Sequence, residues 1–499
     1  MAVRQISRHP RRRRREDDSE GFEPGEGEQP QTPGELPGNP LILRREEHPI
    51  SRKQIDPDAL KVMARLIRYG HRAFLVGGGV RDLMLGKVPK DFDIGTDARP
   101  ESIRSLFRNS RVIGRRFKIN HIFFGNNKIF EVSTFRATVE ADPEQEGLPI
   151  SSDNTYGDPQ TDALRRDLTI NGLFYDLSTF SVIDYVGGIA DLRDGIIRVI
   201  GEPAVRLRED PVRMIRAIRH AARTGFRIEE QTFQAICELK ELIRLSSGAR
   251  VFEEVLREIT GGHSLASFRL LSQTGLLSYL FPVLGEVFAD TGSDRHALLE
   301  HTLERIDLTI RSGTQIPLSV LFLALFIGNF PNEILESSKP GDTRADISLF
   351  WQLSPMEPDE YEDGGTEAPA EEALEPNEGS PKHAEQPRPV TRVRPNVLDK
   401  SIEALFKPMS VPRKDREKMS LLLAVRYTLI ALYQDGGDTR SILSKHVFQD
   451  ALLLLKLTAE TNFLQACASY WTEQSADFRP GKRQPERSRR RRRPRRGGR

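Results

Sequence analysis

The segment 74–96, FLVGGGVRDLMLGKVPKDFDIGT, constrains the fold of this chain most strongly. An apolar run over 74–77 predicts a buried strand, and three glycines and a short helical pattern follow it. The run over 91–96 predicts a second strand, in which alternate side chains point to opposite faces. Asp91 and Asp93 therefore share one face, opposite apolar side chains that half-bury the strand.

These carboxylates and glycines predict a site for a nucleoside triphosphate with a divalent metal, although a glycine-rich loop alone can be an ordinary turn. Phosphates approach the backbone closely where no Cβ intervenes, and Mg²⁺ is usually held by one or two carboxylates plus phosphate oxygens. Two acids so close together repel each other unless a cation balances them. The candidate metal ligands are Asp91 and Asp93, and the candidate triphosphate ligands are Arg81 and the backbone of Gly77, Gly78 and Gly79.

Residues further along the chain could complete this site. Runs over 121–124 and 128–136 predict a β-hairpin, and if it pairs beside the Asp91–Asp93 strand, Glu131 could supply a third acid. Otherwise Glu131 is a surface residue. The run RRDLTING, 165–172, offers Arg166 for phosphate binding and Asp167 as a further catalytic acid, although Asp167 could equally be a helix cap.

The paired acids favour nucleotidyl transfer. Two metals about 4 Å apart can activate a hydroxyl group and stabilise the leaving oxygen of an in-line phosphoryl displacement. In that mechanism one metal activates a 3′-hydroxyl, and the other neutralises the departing pyrophosphate.

The run 206–223, RLREDPVRMIRAIRHAAR, predicts a helix that begins at Asp210, before a proline. Arg213, Arg216 and Arg219 recur every three residues along one side of it. Aspartate accepts from an amino group and arginine donates to a ring nitrogen or oxygen, so Asp210 and Arg213 could read a nucleobase edge. A capped and solvated helix would show the same pattern.

Charge and composition separate ordered from low-complexity parts of the 499 residues. The 74 basic and 72 acidic residues almost balance, but arginine runs lie near both ends and acid concentrates over 356–385. This asymmetry favours a polyanionic partner. Two cysteines exclude a disulfide framework, and the lack of a long apolar run or an apolar leader predicts a cytoplasmic protein with no membrane partner.

Five motifs occur in the order found in the class II nucleotidyltransferases of the polymerase-β superfamily, which comprise bacterial poly(A) polymerases and tRNA CCA-adding enzymes. They are LVGGGVRD…DFDIGT, IFEVSTFR, RRDLTING, YVGGIADLRDGIIRVIG and REDPVRMIRAIR. The resemblance is close over 43–231 and looser over the helical remainder. The segments 48–63 and 106–125 and the basic C-terminal tail are more similar to the poly(A) polymerase branch.

The resemblance implies an α+β fold, in which a five-stranded catalytic head with a small mixed or antiparallel sheet precedes an all-α neck and body. By the resemblance, Asp91 and Asp93 match the metal-binding acids, and Asp167 matches the aspartate of the Arg-Arg-Asp motif. Glu209, Asp210 and Arg213 match the motif that reads the incoming base. The full set expected to select the nucleobase is Glu209, Asp210, Arg213, Arg216 and Arg219.

The expected organisation follows from these boundaries. It comprises a disordered basic and polar tail (1–44), the nucleotidyltransferase head (45–195), a helical neck for nucleobase selection (196–265), a helical body (266–355), an acidic low-complexity insertion (356–396), a continued helical body that binds RNA (397–478) and a disordered arginine-rich tail (479–499). The tail arginines expected to bind RNA backbone are Arg489, Arg490, Arg491, Arg492, Arg493, Arg495 and Arg496.

The sequence therefore predicts a template-independent adenylyltransferase that adds AMP from ATP to RNA 3′ ends and releases pyrophosphate. Its expected cofactor is Mg²⁺, with Mn²⁺ as a substitute, and its expected partners are mRNA, small RNAs, tRNA and RNA-degradation machinery. A monomer is favoured. The alternatives are CCA, CC or A addition to tRNA, and a non-catalytic RNA-binding adaptor, against which the intact Asp91, Asp93 and Arg81 argue.

Overall fold

The computed structural model describes residues 39–114, 118–125, 128–137, 155–330, 402, 411 and 413–478. The acidic insertion and the C-terminal arginine tail lie outside these residues, as does the N-terminal tail up to residue 38. Residues 41–43, which fall within the segment expected to be a disordered tail, form a strand.

The described residues form ten strands and eighteen helices, besides short 3₁₀ turns. The strands are β1 (Leu41–Leu43), β2 (Ala73–Val76), β3 (Asp93–Thr96), β4 (Ser110–Ile113), β5 (Ile119–Phe123), β6 (Ile129–Thr134), β7 (Leu173–Asp176), β8 (Ser181–Asp184), β9 (Ile196–Ile197) and β10 (Arg227–Ile228). The helices that pack around the sheet are α1 (Pro57–Arg68), α2 (Gly78–Met84), α3 (Pro100–Leu106), α4 (Pro159–Leu164) and α5 (Gly188–Asp194).

The remaining helices follow the sheet in the chain. They are α6 (Pro203–Glu209), α7 (Val212–Thr224), α8 (Glu230–Leu239), α9 (Gly248–Thr260), α10 (Ser264–Gln273), α11 (Leu277–Leu280), α12 (Pro282–Ala289), α13 (Asp294–Arg311), α14 (Leu318–Leu325), α15 (Arg413–Asp435), α16 (Thr439–Leu443), α17 (Phe448–Leu457) and α18 (Asn462–Asp477). Within these residues, no helix is both long and apolar enough to cross a membrane.

The head contains one mixed sheet in the order β1-β8-β7-β2-β3-β6-β5-β4. Strands β3 and β6 pair in parallel, and the other neighbours pair antiparallel. The predicted α+β class, a mixed-sheet head before a helical neck and body, is confirmed. The sheet has eight strands rather than the five that the resemblance implies, and β1 and β4 form its two edges.

The central strand β2 explains how the head is held together. All four of its side chains are buried, and they alternate between two apolar clusters. Ala73 and Leu75 join the main core, which continues into the helical part of the chain, while Phe74 and Val76 join a smaller aromatic cluster. A strand buried on both faces fixes its own register, so the turn that follows it is placed rigidly.

A glycine in this head offers a test of how tightly α5 packs. A Cβ on Gly188 would lie 2.2 Å from the carbonyl oxygen of Thr169, in the 3₁₀ turn Thr169–Asn171. We expect Gly188→Ala to lower the free energy of unfolding by about 1–3 kcal/mol, since backbone must move to admit the methyl group.

The control is Gly248→Ala, which also changes the first residue of a helix but has nothing within 4 Å of the added Cβ. We expect it to be neutral or stabilising by up to about 1 kcal/mol. Urea unfolding of both variants checks this difference, and equal midpoints would show that the contact at Gly188 relaxes freely.

Candidate active site

A glycine turn joins β2 to α2, as the sequence predicts. Gly77 has φ +70° and ψ −134°, a conformation that side-chain-bearing residues rarely adopt. Its backbone N–H donates to the carbonyl oxygen of Leu173 at 3.2 Å, and its carbonyl accepts from the N–H of Arg81. A Cβ on Gly79 would lie 3.2 Å from the carbonyl oxygen of Asp91, so the turn packs directly on the backbone that carries the first acid.

Three acids lie close together where β3 begins, beside the neighbouring strand β6. Asp93 is the first residue of β3, and Asp91 lies just before the strand rather than within it. The predicted pairing of the hairpin beside this strand is confirmed, because Ile94 of β3 pairs with Val132 of β6 and places Glu131 beside Asp93. Burial, then the charges of Glu131 and Asp91, raise the pKa of Asp93 to about 6.

These acids fit a magnesium ion that also binds phosphate. Hard carboxylate oxygens are suitable ligands. Burial is the main reason for the raised pKa of Asp93, and the charges of Glu131 and Asp91, which add to it, are charges that a cation would balance. In the part of the chain that is described, no group of three or more His, Cys, Asp or Glu side chains is arranged to hold a metal. Phosphate oxygens could complete a ligand set of Asp91 and Asp93, and a contribution from Glu131 stays a prediction.

Arg166 lies between the glycine turn and the acids. Its Nη2 is 2.9 Å from Asp162 Oδ2, and its guanidinium lies 5.3 Å from the centre of the Phe174 ring. A Cβ on Gly77 would be only 3.1 Å from Arg166 Nη1, and the charge of Arg166 acts to lower the pKa of Asp93. This position suits the predicted contact with a triphosphate.

The side chain of Arg81 is buried, whereas an arginine that binds a ligand needs an accessible guanidinium group. Its side chain is 1% exposed, and Nε and Nη2 both donate to Asp82 Oδ1. Nη1 lies 2.6 Å from Asn171 Oδ1 and 3.3 Å from His220 Nδ1. In this arrangement Arg81 ties the glycine turn to the neck, and its predicted role in binding triphosphate remains a prediction.

Asp167 is also buried, and it does not line the cleft that contains Asp91 and Asp93. Its Oδ2 lies 2.6 Å from Arg216 on α7, and its Oδ1 accepts from the N–H of Leu168. Although burial opposes its charge, Arg216 holds the pKa of Asp167 well below its usual range. Asp167 of the head and Arg216 of the neck thus form an ion pair where these two parts of the chain meet.

The expected base-reading residues lie at the junction of α6 and α7. Glu209 Oε2 is 3.1 Å from Arg213 Nη1 and 2.5 Å from Arg206 Nη1. Asp210 separates the two helices, and its Oδ2 is 2.8 Å from Arg250 Nη2. The structure therefore brings Glu209, Asp210 and Arg213 together and gives their side chains fixed partners.

A cleft of about 780 Å³ separates the head from the neck. Asp91, Asp93 and Glu131 line its head side, and three arginines line its neck side. Those arginines are Arg219, Arg223 and Arg257. Acids that suit a metal thus face cations that suit phosphate across one opening.

Sequence reasoning placed Arg219 with the base-reading group, whereas in the structure it lines this cleft. It also missed Arg223 and Arg257 as cleft residues. Arg223 follows Arg219 by four residues and so lies on the same helix face, a spacing that extends the arginine series already visible in the sequence. Arg257 comes from α9, and only tertiary packing shows its position.

Glu258 is an unexpected acid in the wall of the cleft. It is 2% exposed, accepts a hydrogen bond from the hydroxyl of Ser267, and lies near Arg219 and Glu254. Burial raises the pKa of Glu258 to about 8. The carboxyl group is therefore largely protonated at neutral pH.

Two segments of the chain match known family models. Residues 73–198 match the poly A polymerase head domain, and residues 225–287 match a domain described as the probable RNA and SrmB-binding site of polymerase A. The resemblance to class II nucleotidyltransferases predicted from the sequence is confirmed by these matches and by the relatives below.

Poly(A) polymerase I of Escherichia coli O6:H1 is 45% identical over 294 residues, which cover 57% of this chain and 63% of that polymerase. The CCA-adding enzyme of Bacillus licheniformis is 34% identical over 225 residues, covering 44% of this chain and 55% of that enzyme. The chain thus matches less than two thirds of the length of either relative.

A crystal structure of the Bacillus stearothermophilus CCA-adding enzyme in complex with CTP has a similar fold, with a TM-score of 0.51 and 20% identity. The similarity covers 85% of this chain and 82% of that one. The two chains therefore have a similar fold in the helical part as well as in the head.

Asp167 and Asp91 should differ in how much each contributes to the free energy of unfolding. Removing Asp167 leaves Arg216 without its carboxylate in a buried environment, so Asp167→Ala should lower the free energy of unfolding by about 3–5 kcal/mol. Asp91 is exposed, and Asp91→Ala should leave the unfolding midpoint close to that of the wild type. Urea unfolding measures both, and an undisturbed midpoint for Asp167→Ala would contradict the structural role of the pair.

The buried carboxyl of Glu258 predicts a pH-dependent stability. Between its ordinary pKa of 4.5 and the raised value of about 8, the folded state keeps a proton that the unfolded chain has lost. Stability therefore falls as pH rises through this window. Glu258→Gln removes the effect, so it should become more stable than the wild type by up to a few kcal/mol as pH increases.

The matched control is Glu253→Gln, an exposed glutamate on the same helix. Thermal unfolding of both variants at several pH values separates them. A difference between Glu258→Gln and the wild type that stays constant with pH would refute the assignment.

Proposed function

We propose that this chain, which is similar to bacterial poly(A) polymerases and CCA-adding enzymes, is a template-independent nucleotidyltransferase that adds AMP from ATP to RNA 3′ ends. One observation carries the proposal. The parallel pairing of β3 with β6 aligns Asp91, Asp93 and Glu131 along a cleft whose other side carries arginines.

Each part of the site has a task in this reaction. Asp91 and Asp93 would hold magnesium, which would supply positive charge to balance the phosphates. The RNA 3′-oxygen loses its proton and bonds to the α-phosphorus of ATP, while the bond from that phosphorus to pyrophosphate breaks. Arg166 binds the triphosphate beside the glycine turn, where Gly77 lets phosphate approach the backbone. Manganese, with the same preference for oxygen ligands, is an expected substitute.

Base selection belongs to the junction of α6 and α7. Asp210 and Arg213 present an acceptor and a donor that match the edge of adenine, and Glu209 fixes the guanidinium of Arg213. On the neck side of the cleft, Arg219 and Arg223 face the acids and meet the phosphates of the RNA end.

Addition of a poly(A) tail is favoured over CCA addition by the degree of similarity. Identity to the poly(A) polymerase is 45%, against 34% to the CCA-adding enzyme, and the longer match is also to the former. The RNA targets are mRNA and small RNAs, with tRNA as the substrate of the second candidate function. RNA-degradation machinery as a partner, a cytoplasmic location and a monomeric state complete the proposal.

The arginines over 489–496 are proposed to add nonspecific contacts to RNA backbone that weaken with salt.

Incorporation assays distinguish the two candidate functions. Purified protein is given magnesium and each of the four nucleotides separately, with either an unstructured RNA or a tRNA that lacks its terminal CCA. We expect long tails from ATP alone on both RNAs. Addition that stops after CC, A or CCA on the tRNA only would assign the chain to tRNA end maturation.

The metal-binding acids can be tested separately from RNA binding. Asp91→Ala and Asp93→Ala should reduce incorporation to background, because neither variant retains the paired oxygen ligands that hold the metal. RNA affinity measured by fluorescence anisotropy should stay near that of the wild type. Asp97→Ala, a nearby carboxylate that pairs with Arg72 outside the cleft, serves as the control and should retain activity. Unchanged incorporation by Asp91→Ala and Asp93→Ala would eliminate the mechanism.

A further inference from the structure

A second cavity, of about 550 Å³, lies in the helical part of the chain. We call it the body pocket, and its walls come from α13 and α18 and from the C-terminal end of α17. It shares no lining residue with the active-site cleft, and none of its residues falls within the segment 225–287 that matches an RNA-binding family model.

Three basic side chains converge on this pocket. His301 and Arg305 are four residues apart on α13 and so lie on one face, and Lys456 comes from α17. Across the described ranges, neither Arg305 nor Lys456 takes part in an ion pair. A cation without a carboxylate partner can bind an anion without first breaking a salt bridge.

His301 adds a second, independent observation. Its Nε2 is buried and makes no hydrogen bond to any residue that the structure describes. Buried polar atoms in folded proteins almost always have a partner. Because Nε2 has no exposed surface in this arrangement, the ring of His301 has to turn toward the pocket that it lines in order to meet a ligand oxygen. Ser469, from α18, brings a hydroxyl group to the same pocket.

Charge and chemistry identify the kind of ligand. Among the residues that line the pocket, Glu473 is the carboxylate, and Arg305 and Lys456 are the two cations, so the lining itself carries more positive than negative charge. Glu460 lies outside the lining but near enough to His301 for their charges to interact. An arginine fork, an ammonium and neutral donors together suit the several oxygens of a phosphate group. The volume is in the range of sites that hold a ligand of nucleotide size rather than a single ion.

We propose that the body pocket binds a phosphodiester group of the RNA strand through Arg305, Lys456 and His301. RNA is named as the source of the phosphate because it is the substrate of the proposed function, so this part of the inference rests on that function. The phosphate chemistry stands on the pocket alone. An RNA strand held here as well as at the cleft would be bound at two separate places on the enzyme.

The test is RNA affinity of the full chain in magnesium without ATP, measured over a range of salt concentrations. Arg305→Gln with Lys456→Gln removes two cations, so the salt dependence of log affinity should become shallower by about 1.4. At about 0.1 M salt the affinity should fall roughly 10-fold. Arg305→Gln alone, at an exposed position, should give about half the change in slope and guards against misfolding of the double variant.

The matched control is Arg440→Gln with Lys445→Gln, which removes the same charge from exposed positions outside the pocket. We expect it to bind RNA more tightly than the pocket variant and with a steeper salt slope. Equal affinities and slopes for the two double variants would overturn the proposal. A rise in RNA affinity for the pocket variant would also overturn it.

Two further measurements are needed. The first distinguishes RNA from a free nucleotide as the source of the phosphate, and the second distinguishes RNA binding in the pocket from the proposed catalytic function. Titration with AMP in the absence of RNA tests a free nucleotide, and loss of AMP binding with unchanged RNA affinity would exclude the RNA strand as the occupant. In incorporation assays the pocket variant should keep the wild-type kcat at saturating RNA, with a higher KM for RNA. A wild-type chain that binds RNA through the pocket but incorporates no AMP would refute the proposed function and leave the pocket assignment intact.

Discussion

The contact between head and neck depends on buried polar side chains that pair across it. Arg81, at the glycine turn, reaches His220 of α7, and Asp167 reaches Arg216 one turn earlier on the same helix. Asn171 lies between these pairs, within hydrogen-bond distance of Arg81 and His220. Burial and the neighbouring arginines Arg219 and Arg81 lower the pKa of His220, so the ring is neutral and packs among cations without adding charge.

Such a polar junction specifies a geometry more strictly than an apolar one. Each buried charge is tolerated only when its partner is in place, so a shifted α7 would leave several groups unsatisfied at once. The same contacts fix the geometry of the cleft. One side of the cleft is the start of β3 with Asp93, and the other is the face of α7 with Arg219 and Arg223. Arg223 is itself anchored to the head, with Nη2 at 2.7 Å from Asp82 Oδ2.

The sequence was informative where the pattern is local. The strand, glycine turn and helix over 74–84 follow from an apolar run and from a conformation that requires glycine at 77. The hairpin that carries Glu131 follows from alternation and a polar turn. Asp91 and Asp93 could be singled out because two acids so close in the sequence repel each other unless a cation balances them, although Asp91 lies just before the strand and not within it.

What the sequence could not supply depends on contacts between distant residues. The short motifs VRD (80–82) and RRD (165–167) do not show which arginine is buried and which lies near the acids. The distinction arises only when α7 packs on the head. Arg81 and Arg166 are both arginines of a motif, yet one is enclosed by Asp82 and Asn171 while the other lies beside Asp93. The edge strand β1 likewise pairs with β8 from far along the chain, so local patterns did not reveal it.

Helix α7 connects two regions of the molecule, its junction with α6 and the cleft. Its 13 residues span about 20 Å, with Arg213 in the first turn beside the acids that are proposed to read the base and Arg223 in the last turn at the cleft. A rigid rod of this kind cannot tilt at one end without moving the other. Under the proposed function, the fit of a nucleobase and the alignment of phosphates would therefore be linked mechanically, and a mismatched base would be penalised at the reaction centre as well as at its own binding site.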